Sequence, residues 1–117
     1  MDLTAQQLPD TLLVTVGDSR IDATVAIRFK DLMREIADGT DGRVVLDLSK
    51  VQFIDSSGLG ALVSVMKILA PHRKLELAAV TPTVERVLHL TRMNSVMTIH
   101  TSVPLADDRT QHSDAGV

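Results

Sequence analysis

The feature that most constrains this chain is the run Val44-Val-Leu-Asp-Leu48. It is apolar almost throughout, without the polar alternation of a half-exposed strand, and so reads as a strand covered on both faces, as in a parallel sheet. Parallel neighbours cannot be joined by tight hairpins; they need long crossovers, usually helices. The flanking sequence supplies them. Val25, Phe29, Leu32, Met33 and Ile36 fall on one face of a helix, with Asp22 as its N-cap and Gly39 as its stop. Leu59 to Leu69 forms a second helix, apolar on most sides and ended by Pro71 and His72. Thr81-Pro82 opens a third, with Val84, Val87 and Leu88 facing inward.

Most of the remaining apolar segments are strands. Leu12-Leu-Val-Thr-Val16 is rich in β-branched residues, and Leu3 to Leu8 forms a weaker strand before it, joined through Pro9-Asp10. Val51-Gln-Phe-Ile54 extends the apolar stretch that begins at Val44. Lys74 to Val80 and Val96 to Ile99 supply later strands. The order is β-β-α-β-α-β-α-β, which predicts a layered α/β domain with right-handed crossovers. The first two strands are linked too tightly for a helix and must be antiparallel, so the sheet is mixed, with four to five strands.

Composition narrows the function. A chain of 117 residues fits one domain. Aromatic residues are only 2%, Phe29 and Phe53, so the core is aliphatic and lacks the stacking rings that single-strand nucleic-acid binding uses. Net charge is -3 and the basic residues are scattered, which gives no stripe for a phosphate backbone. There are no cysteines, hence no disulfides and no thiol catalysis. Met1 to Asp10 has no signal-peptide pattern, and the longest uncharged apolar-rich stretch, Ser56 to Met66, is far short of the roughly 20 residues of a membrane helix. The expectation is a cytoplasmic, soluble protein.

Asp55-Ser56-Ser57-Gly58-Leu59-Gly60 lies where a buried strand gives way to a buried helix, at the strand end where α/β domains place ligands and partners. Capping alone explains much of it, since Asp and Ser are favoured N-caps and glycine relieves tight backbone. One cap needs only one side chain, however, so a second hydroxyl is left over.

Val51-Gln-Phe-Ile-Asp-Ser-Ser-Gly-Leu-Gly-Ala-Leu-Val63 closely resembles the signature of the STAS family, specifically its anti-sigma factor antagonists. Val44 to Ser49, Arg20-Ile-Asp-Ala23, Leu75-Glu-Leu77, Thr81-Pro-Thr-Val84 and Leu88 to Met93 resemble the family's other segments in register, so the likeness spans roughly residues 10 to 100. It implies a SpoIIAA-like fold over residues 1–105; from the residues themselves, a short C-terminal helix is expected after the last strand, and the tail over 106–117, which lacks apolar anchors, is expected to be flexible. The likeness implies that Ser56 is phosphorylated by a partner serine kinase that doubles as an anti-sigma factor, with a phosphoserine phosphatase as a further partner. It also implies that the unphosphorylated form binds the kinase and that phosphorylation releases it. Asp22, Asp55, Ser57, Gly58 and Leu59 are then partner-binding candidates. Four of them have a plainer reading: Asp22 as an N-cap, Asp55 as a cap or turn acid, Gly58 as backbone relief, and Leu59 as core. One departure is Ser19, where the family often carries Gly; the nearest glycine is Gly17, so the loop before Arg20 differs in shape.

Nothing indicates an enzyme, a metal or a cofactor. The histidines, His72, His89, His100 and His112, form no ligand-spaced set, and are expected in surface or partly packed roles. Ser56 lacks a G-x-S-x-G context, and Gly58-Leu-Gly60 lacks the G-K-[ST] of a phosphate loop. Two other functions remain open: a STAS subunit that braces a transporter ATPase without phosphoregulation, and a small-ligand sensor using the sheet edge.

Overall fold

The computed structural model describes residues 1–40 and 42–103. In chain order these form β1 (Leu3–Gln7), β2 (Thr11–Val16), β3 (Arg20–Ile21), α1 (Ala26–Ala37), β4 (Arg43–Asp47), β5 (Phe53–Ile54), α2 (Ser56–Leu69), β6 (Leu75–Ala78), α3 (Pro82–Leu90), a 3₁₀ turn (Met93–Ser95) and β7 (Thr98–His100). The expected tail over 106–117 and the short C-terminal helix lie outside the described residues.

Five strands form one mixed sheet in the order β1-β2-β4-β6-β7. The β1–β2 pair is antiparallel and every other pair is parallel. The parity of the strands explains the layering. Leu12, Val14 and Val16 of β2, Val44 and Leu46 of β4, and Leu75 and Leu77 of β6 point to one face. There they share a core with Phe29 and Met33 of α1, Leu62 and Val65 of α2, and Val84 and Leu88 of α3. On the opposite face Leu13, Val45 and Ala78 gather with Leu8, and Val103 packs against them. β4 is therefore apolar on both sides, as its sequence implies; Val44, Val45 and Leu46 are all fully buried.

One strand pairing was not expected and two boundaries need correction. Within Val51 to Ile54, read only as an extension of the apolar stretch, Phe53–Ile54 is a strand that pairs in parallel with β3 in a separate two-stranded ribbon. The second helix begins at Ser56, a turn earlier than its apolar periodicity suggests, because Asp55 caps it. The last strand starts at Thr98 rather than Val96, since Met93–Ser95 tightens into a 3₁₀ turn that carries Val96 with it.

A polar chain crosses the face opposite the helices, unforeseen in the sequence. Glu76 of β6 is buried, and its Oε1 accepts from Arg43 Nη1 of β4 at 2.9 Å and pairs with His100 Nε2 of β7 at 2.5 Å. Arg43 Nε also donates to Thr11 Oγ1 at 3.0 Å, so side chains from four adjacent elements are bonded in sequence across the strands.

Candidate functional site

The site is built at the carboxyl ends of the parallel strands. After β4 the chain makes two local turns: Asp47 Oδ1 accepts the Ser49 N–H at 2.9 Å, and Leu48 O accepts the Val51 N–H at 3.0 Å. The chain then runs alongside β3, where Gln52 N–H donates to Ser19 O at 2.7 Å and Asp55 N–H reaches Ile21 O at 3.4 Å. Ile21 and Ile54 point inward and are buried. Their chain neighbours Arg20 and Phe53, which are register partners of each other, point outward, with the Arg20 guanidinium 4.2 Å from the centre of the Phe53 ring. Thr81 Oγ1, ahead of α3, bonds Val51 O at 2.7 Å and ties the third helix start to the same end.

Asp55 holds this end together. Its Oδ1 accepts the Gly58 N–H at 2.8 Å, an N-cap bond to the third residue of α2. Its Oδ2 accepts the Ala23 N–H at 3.2 Å, which fastens the α2 start to the loop before α1. One carboxylate thus orders two segments 32 residues apart in sequence. Gly58 makes the close approach possible: a Cβ there would lie 2.0 Å from Ile21 O, so no other residue fits without moving the backbone. The plain reading of Gly58, backbone relief, is the one the geometry supports.

Asp22 is not the N-cap of α1. That position belongs to Val25, which has no side-chain cap bond. Asp22 instead folds the preceding turn. Its Oδ1 accepts Thr24 N at 3.1 Å and Thr24 Oγ1 at 2.6 Å, and its Oδ2 pairs with Arg20 Nε at 3.2 Å. The Thr24 hydroxyl first, and the Arg20 guanidinium next, hold the Asp22 carboxyl below its ordinary value of 3.8. The helix starts later than its capping-type residue because the backbone first completes a turn on Asp22 O, which accepts from both Val25 and Ala26.

Ser56 and Ser57, the first two residues of α2, are exposed, and neither hydroxyl makes a hydrogen bond among the described residues. Asp55 does the capping, so both hydroxyls are spare, one more than the sequence suggested. Leu59 turns partly inward and packs against the core, which matches its plainer reading. The structure therefore brings Asp22, Asp55, Ser56, Ser57 and Gly58 to one end of the molecule. Arg20 and Phe53 also belong there. The sequence signal for them was weak, because a two-residue strand is too short to show periodicity.

With this geometry the chain can be compared with known proteins. The STAS domain family model matches residues 2–106, and the chain belongs to that family. The anti-sigma-factor antagonist (STAS) domain protein of Planctomyces limnophilus superposes with a TM-score of 0.79 at 19% identity, covering 98% of this chain and 99% of that one. The Bacillus cell fate determinant SpoIIAA, in its phosphorylated form, gives 0.61 at 15% identity over 96% and 99%. A sulfate transporter family protein of Wolinella succinogenes gives 0.69 at 16% over 80% and 78%. These likenesses establish the SpoIIAA-like STAS fold.

Proposed function

We propose that this protein is an anti-sigma factor antagonist working by partner switching. Unphosphorylated, it binds an anti-sigma factor that is also a serine kinase; phosphorylated on Ser56, it releases that partner. Asp22, Asp55, Ser57, Gly58 and Leu59 lie in or support the contact surface. The observation that carries this reading is the exposed, unbonded Ser56 hydroxyl at the first position of α2, beside a carboxylate that already caps the helix.

The physics suits a switch. Phosphorylation adds about -1.5 to -2 charge and three acceptor oxygens. The helix start favours that charge, while Asp55 and Asp22 nearby oppose it. Within the protein the two effects offset each other in water. Against a desolvated partner surface the same dianion is costly unless paired. Loss of about 4 kcal/mol takes a nanomolar complex to micromolar. The protein binds; it performs no chemistry of its own.

The test is to incubate the protein with ATP and each candidate anti-sigma kinase from its genome, then map the product by intact mass and peptide sequencing. One phosphate on Ser56 is expected. Ser56→Ala should bind the kinase and resist inactivation, and Ser56→Asp should bind poorly without ATP. Normal phosphorylation of Ser56→Ala, or wild-type binding by Ser56→Asp, overturns the proposal. The likeness to a transporter-family protein supports a second reading, a bracing subunit; under it no kinase would modify Ser56.

A further inference from the structure

Gly60, the fifth residue of α2, has no reason within the fold to be glycine. A glycine is usually required by a positive φ, by a close approach of other atoms, or by burial without room for a side chain. None applies at position 60. It is helical and absent from the positive-φ residues, it is exposed, and a Cβ built there meets nothing within 4 Å. Gly58, two residues earlier, is the opposite case, with a Cβ 2.0 Å from the Ile21 carbonyl oxygen. Glycine in a helix interior is nevertheless among the least favourable choices, because it exposes backbone and loses the most conformational entropy. The fold therefore bears a cost at Gly60 with no return among the described residues.

Position sets where the return lies. Gly60 is one helical turn beyond Ser56 and three residues beyond Ser57, so all three residues share the outward face of α2. A protein that covers the Ser56 hydroxyl must also pass over Gly60. We infer that Gly60 is a clearance residue of the binding surface: the anti-sigma kinase seats its own atoms directly on bare α2 backbone there, at a distance a side chain would prevent. This rests on the proposed function and adds the residue that sets the fit. A phosphate on Ser56 stands at the edge of the same contact, so it acts by bulk as well as by charge.

The experiment reads two quantities expected to move in opposite directions. Gly60→Ala and Gly60→Leu are compared with wild type by thermal melting and by titration calorimetry with the kinase that phosphorylates Ser56. Gly60→Ala should raise the Tm by about 3–6 °C and weaken binding at least about tenfold. Gly60→Leu should keep a Tm at or above wild type and weaken binding further. A lower Tm for Gly60→Ala would show that the fold needs the glycine and would overturn the inference. Unchanged affinity in both variants would overturn it while leaving the partner-switching reading intact. If wild type binds no such kinase at all, both fall together.

Discussion

At the scale of single residues, two glycines in one hexapeptide have opposite roles, and only their surroundings tell them apart. Gly58→Ala drives a methyl group into the Ile21 carbonyl and should destabilise the protein by about 2–3 kcal/mol, read by urea denaturation; a loss under about 0.5 kcal/mol would mean that the α2 start can shift freely. Asp22 gives a pH signature. Its folded carboxyl lies below the ordinary 3.8, so its stabilising effect is complete above about pH 4 and is lost as the pH falls through the folded value. The stability gap between wild type and Asp22→Asn should therefore be largest near neutrality and shrink in acid. A gap that widened on acidification would refute the turn described for Asp22. Two of the five candidates named for partner binding, Asp22 and Gly58, thus have structural duties that the sequence could not separate from functional ones.

At the scale of elements, the helix starts are held by side chains that reach outside their own segment. Asp55 caps α2 and also accepts from Ala23. Asp55→Ala should cost about 1–2 kcal/mol, more than an isolated cap, and should increase amide exchange in both the α2 first turn and the 22–25 loop. Exchange confined to α2 would show that the second bond contributes nothing. At the sheet edge, β7 is joined to β6 and β4 through Glu76. Glu76→Ala leaves Arg43 and His100 without their shared acceptor. Because those two side chains are 36% and 32% exposed, water recovers part of the loss. We expect about 2 kcal/mol of destabilisation, below the range for a fully buried pair, measured by denaturant titration.

At the scale of the whole molecule, the proposed switch residue and the core are separated. Ser56 is exposed, while the core that carries stability lies between the helices and one face of the sheet. A negative charge at position 56 should leave the fold intact. Ser56→Asp is expected to melt within about 4 °C of wild type. A collapse of the melting transition would mean that the charge acts by unfolding its host, and partner release would then need another explanation. Among the described residues no helix is long and apolar enough to cross a membrane.

Much of this architecture was legible in the sequence because its signals are local and repeated. The almost wholly apolar run at Val44–Leu48 dictated a strand covered on both faces, and the helical spacing of Val25 to Ile36 and the apolar stretch Leu59 to Leu69 dictated the crossovers. The spare hydroxyl beside an Asp cap was likewise visible at Asp55-Ser56-Ser57. Tertiary structure alone decided the rest. It paired two-residue strands around Arg20 and Phe53, turned Asp22 from a helix cap into a turn anchor, joined Arg43, Glu76 and His100 from three strands, and gave Gly58 a backbone oxygen to face while leaving Gly60 bare. The physical reason is range: periodicity and capping act over a few residues along the chain, whereas these contacts join residues brought together only when the strands and helices have packed.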